Sequence, residues 1–230
     1  MGLSRGLKGL REAGPRQIAL TALLLIGALL IARFSWETRV VDTAEKALYD
    51  WRVTLTAPLV EQDQRVAVVV YDDQTLIAAR KRSPLDRGLL ARALRNLDGM
   101  GAKAIGLDML FDQPQDEDDE LIATLRGMKT PVSVGYAEFL GNKDDIIYEQ
   151  QQYLDGFLAR LKGSMAHPAS VQLPNDDGTT RGWPAIRPDL PPTLSRAMMR
   201  AAGDPAVKSF DSYDGAQRYR LSSKIGRAHV

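Results

Sequence analysis

A chain of 230 residues with a formal net charge of +1 can hold one substantial core and a short appendage, and it lacks the basic excess of a nucleic-acid binder. It has no cysteine, which excludes disulfides and thiolate metal sites. Its two histidines, His167 and His229, lie too far apart in sequence to set a metal-ligand spacing.

Residues 1–16 carry Arg5, Lys8, Arg11 and Arg16 against one acid, Glu12. Ile18 to Ala32 is apolar apart from Thr21 and Gly27. Extended through Phe34 to Trp36, it reaches the ~20 residues that cross a bilayer. The basic flank should stay in the cytoplasm and Trp36 suits the far interface. A cleaved signal peptide is the rival reading, but Arg33-Phe34-Ser35-Trp36 stands where a small-x-small cleavage pattern would be. The expected order is a cytoplasmic segment over 1–16, a transmembrane helix over 17–36, and everything beyond outside the cytoplasm. Val41, Ala44, Leu48, Trp51 and Leu55 then recur at helical spacing, predicting a helix that lays one face on the domain. Pro58 stops it, and Leu59 to Gln64 form a link.

Residues 65–111 read as the organising unit. Val66 to Tyr71 is an apolar run without alternation, as in a strand buried on both faces of a parallel sheet. A helix is predicted from Pro84 to Asp98, with Ser83 as cap, Pro84 in the first turn and Asp86 near the positive dipole end. Leu85, Leu89, Leu90, Ala93, Leu94 and Leu97 form its apolar stripe, and Gly99-Met100-Gly101 ends it. Ala104 to Phe111 is a second buried strand, completing a βαβ unit. The acids of 116–120 suit the first turn of a helix carrying Leu121, Ile122, Leu125 and Met128. Val132 to Tyr136 is a third strand, extending the unit to βαβαβ. A further helix is expected over 149–161 with Tyr153, Phe157 and Leu161 on one face, and Gly163 closes it. Ala169 to Leu173 alternates like an exposed strand; turn chemistry at Pro174 to Gly178 predicts a hairpin returning over Thr179 to Trp183. Leu194, Ala197, Met198 and Ala201 make one more helical face, ended by Gly203.

The fold class expected is therefore α/β: an N-terminal transmembrane helix, then a three-layer domain with a mainly parallel sheet built on βαβαβ, plus a later hairpin. The domain should span 37–205, with 206–223 its incomplete end. Lys224 to Val230 back-translate into the start of a common sequencing-adapter string, so 224–230 read as a non-native tail and the natural protein is expected to continue.

In an open parallel sheet, ligands bind beyond the carboxyl ends of the strands. Those ends carry Asp72 and Asp73, then Asp108 and Asp112, then Glu138. Asp108 lies inside an apolar run and, if buried, needs a cation; Arg52 and Arg87 are the first choices. Asp72, Asp73, Arg87, Asp108 and Asp112 are the expected ligand-binding set. The competing expectation is that these acids cap turns and accept backbone N–H groups. No G-x-G-x-x-G follows Val70, and no Walker loop, G-x-S-x-G or Ser-His-Asp set is present, so no catalytic residue, metal site or cofactor is assigned.

Several segments resemble the CHASE type 2 extracellular sensory domain: Leu48-Tyr49-Asp50-Trp51-Arg52, Tyr71-Asp72-Asp73, Ser83-Pro84-Leu85-Asp86-Arg87, and above all Gly101 through Phe111. Asp118-Asp119-Glu120-Leu121, Leu173 through Gly178 with Arg181, and the helix from Pro192 fit as well, so the resemblance covers residues 40–205. One departure is Arg80-Lys81-Arg82-Ser83, where many members have an aromatic-rich segment. The resemblance implies a periplasmic or extracellular sensor, not an enzyme, tethered to the inner membrane. Its cytoplasmic output would be a nucleotide cyclase, a kinase or a diguanylate cyclase, none of which lies in these residues. The expected partners are the membrane, a small ligand or envelope protein, and a second copy in a homodimer; nucleic acid is not among them. An exported hydrolase using a carboxylate-bound divalent metal is the alternative, and a scaffold piece of an envelope complex is a third.

Overall fold

The computed structural model describes residues 14–35, 38–61, 63–79, 86–140, 146–174, 178–211 and 221–222. The chain divides into two compact units, Met1–Gln64 with Arg218–Gly226, and Arg65–Gln217 with Arg227–Val230.

In the first unit, α1 (Pro15–Ser35) is long and apolar enough to cross a membrane, with a mean hydropathy of 2.1 over Pro15–Phe34 and none of that stretch buried. Helix α2 (Arg39–Thr56) is braced by an i,i+4 pair, Lys46 to Asp42 at 2.7 Å. It ends at Ala57, whose ψ of 125° is the extended conformation forced on a residue before proline. Within this unit Leu48, Trp51 and Leu55 of its apolar stripe are each more than 60% accessible. Helical periodicity predicted the helix but not what covers its face. Where a bare link was expected, Leu59–Val60 forms a short strand β1, paired in parallel with Leu221–Ser222.

The second unit corrects the reading of its own opening. Val66, Val68, Val69 and Val70 are 45–54% exposed, and only Val69 makes a bridge, so this run is not a buried strand. The run has β propensity, but propensity reports fit to a half-buried pleated surface, which a local pattern does not itself supply. The extended chain also turns at once into a helix that the sequence reading missed, α3 (Asp73–Ala79). Asp72 initiates it, accepting the Thr75 N–H and hydroxyl at 2.9 Å each.

Helix α4 (Arg87–Gly99) starts later than predicted. Asp86 itself is the cap, accepting from Leu89 N at 2.8 Å; the expected cap Ser83, with Pro84 and Leu85, lies outside the described residues. Gly101 ends it at φ +75°, as the glycine pattern predicted. The three-stranded sheet comprises β2 (Ile105–Leu107), β3 (Val132–Tyr136) and β4 (Ala166–Ser170), parallel and in chain order. Its crossovers are α5 (Asp118–Gly127) and α6 (Tyr148–Ala159). Side chains alternate across a strand. Ile105, Leu107, Val132 and Val134 therefore share one buried cluster with Ala91 and Leu94 of α4, Leu121 and Leu125 of α5, and Leu154 and Phe157 of α6. Each such leucine stabilises the fold by about 1.5–3 kcal/mol through burial. Gly106 faces the other way, where a Cβ would stand 2.2 Å from Met198 Sδ of α7 (Leu194–Ala201). Helices on both faces make the expected three layers. Asp98, at the end of α4, accepts from Lys129 N and Thr130 N and so anchors the entry to β3; the Thr130 contacts hold its carboxyl below the usual range.

Among the described residues the predicted hairpin does not form, and 175–177 of its turn lie outside them. The strand is 166–170 rather than 169–173, and Thr179 and Gly182 make single bridges only. The place beside Ser170 that a returning strand would take is filled by the approach to α7. Ser170 N donates to Pro192 O at 2.8 Å, and Ser170 bridges Thr193 in parallel. Pro168 sits in β4 without cost to the sheet because β4 is an edge strand. A short helix α8 (Val207–Asp211) follows α7, and β5 (Leu221–Ser222) closes the first unit, both beyond the last confident sequence assignment.

Candidate functional site

The chain leaving β2 builds the first polar cluster at the carboxyl ends of the strands. A Cβ on Gly135 would stand 2.3 Å from Met109 O, so only glycine lets that segment cross β3 so closely. Beyond it, Phe111 is fully buried and stacks on Phe157 with ring centroids 4.7 Å apart. Arg87, 3% exposed, lies over the Phe111 ring at 4.4 Å. Its Nε donates to Asp118 Oδ1 at 3.0 Å. The other carboxylate oxygen accepts from Gln115 N at 2.9 Å and from the Tyr153 hydroxyl. Burial, with that carboxylate second, pushes the Tyr153 phenol up to about 12. The cluster ties α4, α5 and α6 together and leaves neither charge without a close partner.

At the ends of β3 and β4, Gln172 brackets Glu138. Its Oε1 accepts from Glu138 N and its Nε2 donates to Glu138 O, both at 3.2 Å. The Glu138 carboxylate reaches Arg187 Nη1 at 3.6 Å, and Arg187 also grips Asp189, whose carboxyl is thereby held below its usual range.

Next to this bracket an open cleft of about 410 Å³ lies between the end of β4, the proline-rich loop 184–192 and the start of α7. Arg187, Arg196 and Arg200 line it together with Ser170 and Thr193, and among the described residues no carboxylate does. Leu173 and Ile186 are about half exposed and contribute apolar wall. Thr193 is the N-cap residue of α7, yet its side chain makes no capping hydrogen bond. Arg196 is 2% exposed and lies over the Trp183 ring at 5.4 Å.

The sequence-predicted site residues are not gathered at this cleft; none of the five lines it. Asp72 caps α3, and Asp73 is exposed in its first turn. Asp112 accepts from Gln150 Nε2 at 2.7 Å. Asp108 is exposed rather than buried in its apolar run, and among the described residues it makes no hydrogen bond or ion pair. Neither suggested cation holds it. Arg87 is committed to Asp118, and Arg52 stands over the Tyr49 ring at 5.6 Å. Asp108 escapes burial because β2 ends at Leu107 and Asp108 stands just past it. Arg196 was missed because it lies off the stripe of Leu194, Ala197, Met198 and Ala201. The available signal was Arg196 and Arg200 four apart, on a helix entered through Pro188, Pro191 and Pro192.

Among the described residues no group of three or more His, Cys, Asp or Glu side chains could hold a metal ion. No curated protein and no solved structure matches the chain. The family model of the CHASE2 domain matches residues 18–226, a wider span than the sequence motifs covered and one that includes the apolar helix α1. The family is one of extracellular sensory, non-catalytic domains, which together with α1 points to a membrane-anchored protein. With residues 18–226 matched by that model, the chain belongs to the CHASE2 domain family.

Proposed function

We propose that this chain receives a signal on the outer side of the inner membrane and passes it to a cytoplasmic output module, a nucleotide cyclase, a kinase or a diguanylate cyclase. Residues 1–16 stay in the cytoplasm, 17–36 span the bilayer, and 37–205 face the periplasm or the exterior. Ligand or partner binding biases two conformations of the outer domain, and α2 carries the difference to the membrane span. The membrane, a small ligand or envelope protein, and a second copy of the chain are its partners. The observation that supports this reading is the CHASE2 match running from residue 18 without a break through the apolar helix and the domain. The test is topological. Fusions after Asp211 to a phosphatase that works only outside the cytoplasm should be active, and fusions to a reporter that works only inside should be silent. The reverse pattern overturns the proposal.

A further inference from the structure

Helix α2 follows the apolar helix α1 in the same unit, and none of its 18 described residues is buried. A helix draws most of its stability from packing an apolar face and little from propensity. The apolar face here is Val41, Ala44, Leu48, Trp51 and Leu55, spaced three, four, three and four. That is the a and d pattern of two heptads, whose period of 3.5 residues keeps two helices in contact along a shared seam. Val41 is half-buried and the other four are exposed. On the opposite side of the helix Lys46, Asp50 and Val53 are half-buried, so the seam points away from the face that its surroundings already cover. The Lys46–Asp42 ion pair lies on that far side too, which keeps its charges off the seam.

We propose that α2 pairs in parallel with α2 of a second copy of this chain, in a short two-stranded coiled coil. With α1 across the bilayer, two copies leave the membrane on the same side, so their α2 helices run in the same sense and in register. In that register the flanking charges Glu45 and Arg52 meet the partner's Val40 and Ala47, and no like charges oppose one another. Two heptads are few for a free coiled coil, but anchoring both helices in one membrane raises the effective concentration of one seam beside the other. The pairing deepens the reading of α2 as the signal-carrying element and rests on it. Its test reads contact between copies, and topology or output does not enter, so the two fail separately.

The chain has no cysteine, so an introduced thiol is the only one present. Single cysteines are placed in turn at positions 41–55 of the full chain in membrane vesicles and oxidised with copper phenanthroline. Disulfide-linked dimer is read on a non-reducing gel. A disulfide needs Cα atoms within about 7 Å, which in a parallel pair only the seam positions reach. Dimer yield is expected to peak at 41, 44, 48, 51 and 55 and to fall to background at 42, 46, 49 and 53. Leu48→Asp should abolish the cross-link formed by Ala44→Cys and leave thermal unfolding of the detergent-diluted monomer unchanged. Uniform yield, no cross-linking along the seam, or a peak on the Lys46 and Val53 face overturns the proposal. So does a loss of thermal stability in Leu48→Asp, which would seat the stripe on the chain's own domain instead.

Discussion

Two buried arginines stand near the carboxyl edge of the same sheet, each over an aromatic ring, and they are provided for in opposite ways. Arg87 meets a carboxylate at 3.0 Å, and that carboxylate is completed by a backbone N–H and a tyrosine hydroxyl. Arg196 meets two carbonyl oxygens and a carboxylate at 3.8 Å that another arginine already holds. Burial is nearly equal at the two sites, at 3% and 2% exposure, so the difference lies in the anion and not in the solvent. A closed network locks α4, α5 and α6 and has no capacity left for a ligand. The open one borders a cleft. Reading function from buried charge therefore requires counting the partners as well as the burial.

The sharpest way to break the contrast is Asp118→Ala, which leaves Arg87 buried without its anion and should destabilise the domain by about 3–5 kcal/mol in urea unfolding. Replacing the pair together, Arg87→Met with Asp118→Leu, should restore stability to within about 2 kcal/mol of the parent, because no lone charge remains. Tyr153→Phe removes a hydrogen bond to a charged acceptor and should cost about 1.5–3 kcal/mol. The same residue gives a pH signature. Its folded pKa is raised from 10 to about 12, so its contribution is fully present below pH 10 and is lost as pH rises toward 12. Stability measured between those values should fall in the parent, and part of that slope should vanish in Tyr153→Phe. On the open side, Arg196→Met removes an under-paired charge and should cost less than Asp118→Ala, about 1–3 kcal/mol from the two carbonyls left without donors. A loss as large as that of Asp118→Ala would erase the distinction between the sites. The smallest effect belongs to Arg200→Gln, which breaks a largely solvated pair and should change stability by less than about 1 kcal/mol.

Much of the layered core was legible in the residues. Leu121, Ile122 and Leu125 at helical spacing after an acidic first turn, and Val132 to Tyr136 bounded by turns, fall where periodicity put them, because both signals are local. Gly101, Gly163 and Gly203 all adopt positive φ after the helices they were expected to end. The valine run from Val66 carried an equally strong local signal and failed, since strand burial depends on a neighbour that no local pattern specifies. The hairpin failed for a related reason: Pro192 and Thr193, more than twenty residues along the chain from Ser170, took the edge that Thr179 to Trp183 was expected to fill. The cleft was illegible because Arg196 and Arg200 lie off the apolar stripe of α7 and Arg187 sits in the loop before it.

By itself the sequence determined the apolar N-terminal helix, the α/β class and the glycine-marked helix ends, because composition, spacing and glycine chemistry act over a few residues at a time; the kinship with extracellular sensory domains came from the resemblance of whole segments. Only the tertiary structure decided which acids found partners, which strand stood at the edge, and that a buried arginine borders a cleft lined, among the described residues, by no carboxylate. Those outcomes are set by distances between segments far apart in the chain, and electrostatic pairing is decided by such distances.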